Sequence, residues 1–178
     1  SPTRRSSDLA ILSIIDRYYP EDNALRRLLL KHSRQVAQRA LHIADLHPEW
    51  DIDREFLEAA AMLHDIGICR CDASGIYCHG TEPYIRHGQI GGEMIRAATL
   101  PRECREAIAR VCERHTGTGL PGFEPETLEE QIICYADKFY SKSTPDHEKT
   151  VEEACRSLQK FGEEGVVKFR EWVKKFEK

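Results

Sequence analysis

Apolar positions along this chain recur at three- and four-residue steps, the spacing that places side chains on one face of an α-helix. Leu12, Ile15 and Tyr19 make the first such stripe, and Pro20 stops it. Leu25, Leu28, Leu29, His32, Val36 and Arg39 continue the pattern, Ala40 and Ile43 widen it, and Pro48 ends it. Asp53 is an N-cap for a third helix with Phe56 at N3, followed by Ala59, Ala60 and Leu63. Gly67 then falls where a helix C-terminus favours a residue tolerant of positive φ. Residues 67–86 hold Gly75, Gly80 and Pro83 without a clear period and read as a loop. A helix resumes at His87, and another opens at Pro101 with Cys104, Ala107, Ile108, Val111 and Cys112 at helical spacing. Residues 116–125 are a second loop, and Thr127 with Glu130 forms a capping box for a helix through Ile132, Ile133, Ala136 and Phe139. From Lys149 onward the pattern predicts two amphipathic helices broken near Gly162 to Gly165. No alternating pattern longer than a few residues predicts a strand, and no segment repeats. The expected fold class is all-α, a single compact helical bundle.

A length of 178 residues suits one domain with a sizeable core. The formal net charge of -4 offers no basic footprint for a phosphate backbone, which disfavours polymeric nucleic acid as a partner but not a small phosphorylated metabolite or nucleotide. No apolar run approaches the ~18 residues of a membrane span, and the first apolar stretch is short and runs into Asp16 and Arg17, unlike a signal peptide. Seven cysteines, an odd count without a disulfide framework, suit reduced thiols and a cytoplasmic protein. Cys69, Cys71, Cys78 and His79 lack the paired knuckles of structural zinc and read as packed or solvent-touching thiols. Pro2 to Leu9 resembles the translation of a sequencing-adapter oligonucleotide, so residues 1–9 are read as a non-native segment. The domain is then expected over residues 10–178, with a core at about 25–145 and C-terminal helices over 149–178.

Several polar residues interrupt this apolar patterning. His64 and Asp65 sit at the end of the run AAAMLHDIG, Asp137 follows Ile132, Ile133 and Ala136, and His32 lies among leucines. Imidazoles and carboxylates in such positions must be satisfied by a hydrogen-bond network or a cation. One histidine on a helix is more often a satisfied core group than a ligand. Four imidazole and carboxylate positions on separate helices instead offer the mixed donors with which bundles build metal centres.

The pattern H…HD…D, with HDIG at residues 64–67, resembles the HD superfamily of metal-dependent phosphohydrolases over roughly residues 25–145. His87 in HGQIGGEMI and His115 in ERHTGTG make the chain similar to a two-metal branch that includes diadenosine tetraphosphate hydrolases and cyclic-phosphate phosphodiesterases. Small HDIG proteins carrying versions of CHG, PYIRHG and ERHTG are similar as well. The resemblance implies that His32, His64, Asp65 and Asp137 hold one divalent ion. Asp65 would bridge to a second, which His87 and His115 complete. The ions could be Fe, Mn, Mg, Ni, Co or Zn. Two cations about 3.5–4 Å apart can share a hydroxide, lower its pKa and neutralise charge on a phosphoryl transition state. The expected activity is therefore hydrolysis of a phosphoester or phosphoanhydride in a nucleotide-like small molecule, with a metal-bridged hydroxide as nucleophile. Alternatively, His87 is a helix N-terminal histidine and His115 a C-terminal cap favoured by the helix dipole.

Three further positions are candidates for catalysis beside Asp65. Arg86 and Lys138 adjoin ligand positions and could orient phosphate oxygens, while His79 could protonate a leaving oxygen. Each is equally a solvated side chain. His42, His47 and His147 have no place in the pattern. Gly91 and Gly92 cost about 1 kcal/mol each within a helix, which close helix approach would explain. HD-GYP phosphodiesterases carry paired histidines where this chain has Arg114-His115, and Gly-Tyr-Pro where it has Gly-Leu-Pro at 119–121, so cyclic di-GMP is disfavoured. Two rivals remain: an HD-fold di-iron oxygenase with nearly the same ligands, and a non-catalytic signalling module.

Overall fold

Four helices of this chain start on side-chain caps. In a computed structural model that describes residues 2–117 and 121–178, with residues 2–7 described by backbone alone, Asn23 accepts a hydrogen bond from the Arg26 amide and opens helix α2 (Ala24–Leu46). Asp53 does the same for Phe56 at the start of α3 (Arg54–Leu63). Thr127 and Thr150 form capping boxes with Glu130 and Glu153 that open α6 (Leu128–Asp137) and α7 (Val151–Gln159). Each cap satisfies first-turn N–H groups that have no partner within the helix. The remaining helices among the described residues are α1 (Pro2–Tyr18), α4 (His87–Arg96), α5 (Arg102–Arg114) and α8 (Glu163–Phe176). None of them is long and apolar enough to cross a membrane.

α2 packs on α3 and α6, α3 also meets α1 and α5, and α4 lies against α5. α8 covers α6, where Tyr135 stacks on Phe169 at 5.1 Å between ring centroids and meets Phe139 edge-on. Residues 67–86 are more ordered than expected. They form 3-10 turns at Ile66–Arg70, Ser74–Ile76 and Tyr84–Arg86 and a two-stranded antiparallel ribbon, β1 (Asp72–Ala73) and β2 (Cys78–His79). Of the loop expected over 116–125, residues 118–120 lie outside the described residues, as do Gly119 and Leu120 of the Gly-Leu-Pro stretch.

The first helix runs back to Pro2, through the stretch read as non-native. Its buried face is Ile11, Ile14 and Ile15, followed by Tyr19, whereas Leu12, expected in the core, is 41% exposed. The i+3/i+4 ambiguity of an isoleucine-rich run explains the difference, because two adjacent stripes fit the same spacing. Asp8 and Leu9 are exposed. Deleting residues 1–8 is therefore expected to leave the melting temperature within about 2 °C, since little apolar area is lost; a thermal melt of the truncated chain checks this.

Gly67 has a different role from the one its position suggests. It does not take positive φ as a helix terminator; it sits inside the 3-10 turn, where a Cβ would lie 2.2 Å from the His87 carbonyl oxygen and 2.6 Å from the Gly91 nitrogen. Only a glycine lets the turn after Asp65 touch the first turn of α4. Gly88 does the same between α4 and α5, with a Cβ position 2.6 Å from the Cys112 carbonyl oxygen. Tyr19 fixes the turn from the other side. Its hydroxyl donates to the Ile66 carbonyl at 2.6 Å and accepts from the Cys69 amide at 3.1 Å. Gly67→Ala is expected to destabilise the fold by about 3 kcal/mol, the upper range for overpacking, because both obstructing atoms are backbone; urea unfolding measures it.

Candidate metal centre

Six side chains from five elements, Asp65 at their centre, form one cluster. His32 comes from the middle of α2, His64 and Asp65 from the end of α3, His87 from the first position of α4, His115 from the end of α5 and Asp137 from the last position of α6. His64 and Asp65 have no solvent exposure at all. The two oxygens of Asp65 face different partners. Oδ2 lies 3.1 Å from His32 Nε2 and 3.3 Å from His64 Nε2, and both imidazoles also reach Asp137 Oδ1, at 2.9 and 3.2 Å. Oδ1 lies 3.3 Å from His87 Nε2 and 3.0 Å from His115 Nε2. The donors thus form two groups, His32, His64, Asp65 and Asp137, and Asp65, His87 and His115, which share Asp65.

The rings are held from behind. His64 Nδ1 donates to the Ala61 carbonyl at 2.6 Å, His87 Nδ1 to that of Tyr84 at 2.5 Å and His115 Nδ1 to that of Cys112 at 2.7 Å. Each acceptor lies three residues upstream, and those of His64 and His115 are last-turn carbonyls left unpaired by the helix. A carbonyl can only accept, so Nδ1 carries the hydrogen, and in a neutral ring Nε2 presents a lone pair to the centre. His115 is therefore both the helix-end cap and a potential ligand, through different nitrogens. A backbone acceptor behind a ligating imidazole is also the usual support of a metal-bound histidine.

The interior fits a cation. His87 Nε2 and His115 Nε2 stand 3.0 Å apart, two lone-pair atoms facing each other once both Nδ1 atoms are committed as donors. Asp65 Oδ1 beside them is buried without a hydrogen-bond donor. An electrophile bound by all three atoms would remove both the repulsion and the unpaired acceptor.

Charge in the cluster is strongly coupled. Burial alone would raise the Asp65 pKa, but Lys142 and His64 outweigh it and hold the carboxyl well below the ordinary range. Asp137 is likewise held low against its burial, by Lys138, His32 and His64. Burial disfavours a charged His64, yet Asp65 and Asp137 overcome this and raise its pKa to about 10. His115 goes the other way, lowered by burial to about 4 despite Asp65. A divalent ion in the first group must therefore displace the His64 proton. Since protons compete with the metal, affinity is expected to rise by roughly tenfold per pH unit between about pH 6 and 8, with proton release on binding. Calorimetry in buffers of different ionisation enthalpy would count the released proton, and a pH-independent affinity would contradict it.

The other expected site residues divide. Lys138 is close to the cluster: its ammonium donates to the His115 carbonyl at 3.0 Å and lies 3.5 Å from Asp137 Oδ2. Arg86 is not brought in, because its guanidinium pairs with Glu82 at 2.9 Å on the exposed side of the turn. His79 is not brought in either. It is exposed in β2, where strand alternation buries its neighbour Cys78 instead. Among the histidines outside the pattern, His42 is exposed, His47 stacks on Trp50 and bonds the Phe176 carbonyl, and His147 pairs with Glu153.

Two residues at the site were not anticipated. Lys142 places Nζ 2.7 Å from Asp65 Oδ2, and Tyr84 stacks on His87 with ring centroids 4.3 Å apart. The sequence signal for Lys142 is a lysine set between two serines five residues after Asp137. The cluster opens into a cavity of about 510 Å³ bordered by Tyr84, His87, His115, Asp137, Lys138 and Lys142, with Ile76 and Leu158 supplying apolar wall.

The sequence profile of the HD domain matches residues 29–141. The chain is 30% identical to a tRNA (cytidine(56)-2'-O)-methyltransferase of Picrophilus torridus over 64% of its own length and 32% of that protein. It is 30% identical to an uncharacterised protein of Methanocaldococcus jannaschii over 61% of this chain and 64% of the relative. A second tRNA (cytidine(56)-2'-O)-methyltransferase, from Thermoplasma volcanium, is 26% identical over 64% of the chain and 32% of its length. The chain thus spans about a third of these methyltransferases and just under two thirds of the uncharacterised protein. No solved structure matches.

Proposed function

Because the chain belongs to the HD domain family, we propose that it is a metal-dependent phosphohydrolase that cleaves a phosphoester or phosphoanhydride of a nucleotide-like small molecule. The observation that carries this reading is Asp65, whose two buried oxygens face two separate sets of imidazole Nε2 atoms at the edge of a ligand-sized cavity. His32, His64, Asp65 and Asp137 would hold one ion; Asp65, His87 and His115 would hold the other. Bound divalent ions supply Lewis acidity towards phosphoryl oxygens and activate water for attack.

The chain's own residues do the rest. The Ala61, Tyr84 and Cys112 carbonyls fix the tautomers of three ligand rings, so little reorganisation accompanies metal entry. Lys138, anchored on the His115 carbonyl, stands at the cavity edge where it can orient a non-bridging phosphate oxygen. Lys142 adds a second cation at the cavity wall and can neutralise charge on the same group. The relatives named for tRNA methylation are matched over only about a third of their length. The hydrolytic reading rests on the donor set rather than on their names.

Protein purified anaerobically and assayed for metal, then loaded with Mn²⁺ or Fe²⁺ and screened against phosphomonoesters, cyclic nucleotides and dinucleoside polyphosphates, tests the proposal. Metal-dependent release of phosphate or a nucleotide is expected. Iron-dependent oxygen consumption without any phosphate release would overturn it in favour of oxygenase chemistry.

A further inference from the structure

Beyond the metal-facing residues, the cavity wall continues through Lys149, just ahead of α7, and Ser157 on α7. The same two residues open a second cavity of about 230 Å³ that Glu153, Arg156 and Lys160 also border. Lys149 is fixed close to the cluster, because its amide donates to the Phe139 carbonyl two residues past Asp137, at 2.9 Å. Its ammonium donates to Ser157 Oγ at 3.2 Å and has no ion pair among the described residues. Burial accordingly lowers its pKa. The carboxylates that act on it are already engaged. Asp137 is held by His32, His64 and Lys138. Glu153 is held by His147 at 2.7 Å and by the Thr150 amide at 3.1 Å. Arg156 and Lys160 are also without an ion pair among the described residues, and Glu152 beside them is gripped by both terminal nitrogens of Arg170.

An ammonium with donors to spare, partly buried on a shared cavity wall and flanked by two more unpaired cations, is a site for an anion. We propose that Lys149 and Ser157, with Arg156 and Lys160 at the outer edge, bind a second phosphate group, so that the substrate is a small molecule carrying one phosphate at the metal cluster and another on α7. This rests on the hydrolytic reading of the cluster. The basic run is short. Glu163 and Glu164 follow Lys160, and the chain as a whole is negative, so there is no extended track for a nucleic-acid backbone.

Straight-chain alkane bisphosphonates of graded length, each compared with the alkyl monophosphonate of the same chain, probe this subsite without being hydrolysed. Binding to the metal-loaded protein would be measured by calorimetry under anaerobic conditions. At least one length is expected to bind about tenfold or more tightly than its monophosphonate, a difference of about 1.4 kcal/mol. Lys149→Gln should cut that advantage below about threefold, and Arg156→Gln, on the exposed face of α7, should remove part of it without changing the melting temperature. Equal binding of both series by the wild-type protein, or full retention of the advantage in Lys149→Gln, would overturn the proposal. So would tighter binding of a short oligoribonucleotide with a terminal phosphate than of every bisphosphonate. If the bisphosphonate preference holds but no ester is cleaved, the hydrolytic reading fails while the anion subsite stands.

Discussion

Asp65→Ala is expected to empty both metal positions and reduce phosphate release to background, while the helical circular dichroism persists. Asp65 contributes an oxygen to each donor group, so one substitution removes the only carboxylate of the His87–His115 group and half of the carboxylate charge of the other. Losing a supporting partner of a metal ligand typically costs 10–100-fold in affinity or activity, and a shared direct ligand should cost at least about a hundredfold at each position. The fold should survive because Asp65 lies two positions past the last residue of α3 and caps no helix with its side chain. Lys142, which loses its partner, borders the open cavity and can turn to solvent. Elemental analysis beside circular dichroism separates the outcomes. Full metal content with normal turnover would refute the shared-carboxylate arrangement.

His87→Ala and His115→Ala should each lower metal content from about two ions per chain towards one, because each histidine belongs to only one of the two donor groups. Either substitution leaves that group with two donors, too few to hold a divalent ion firmly, and turnover should fall by about a hundredfold or more. His32→Ala is the comparison, since it acts on the other group. A wild-type stoichiometry and rate in both variants would make these imidazoles structural and leave a one-ion site.

The helices and their boundaries were largely legible because caps and periodicity are local. Asp53 and Thr127 accept from the residues three positions on, as their spacing requires. The polar interruptions His32, His64, Asp65 and Asp137 were legible because an imidazole or carboxylate in an apolar stripe has few uses without a partner. Other readings failed where the answer depends on what another segment does. Leu12 and Ile11 satisfy the same helical spacing, and only the position of α3 beside α1 selects the isoleucine face. Gly67 has the sequence context of a helix stop, yet the backbone of α4 crossing at van der Waals contact is what requires it.

The sequence by itself determined an all-helical chain and which imidazoles and carboxylates interrupt its apolar stripes, since residue type, spacing and polarity are written along one dimension. The tertiary structure decided which oxygen of Asp65 meets which imidazoles, because that depends on the crossing of α2, α3, α4, α5 and α6. It also sorted the basic side chains. Lys142 came to the cluster from a loop without periodicity, Lys138 stayed beside it, and Arg86 and His79 were turned outward by an ion pair and by strand alternation. A long side chain's placement is set by the nearest opposite charge in space, and sequence neighbours predict that only when the chain between them is rigid.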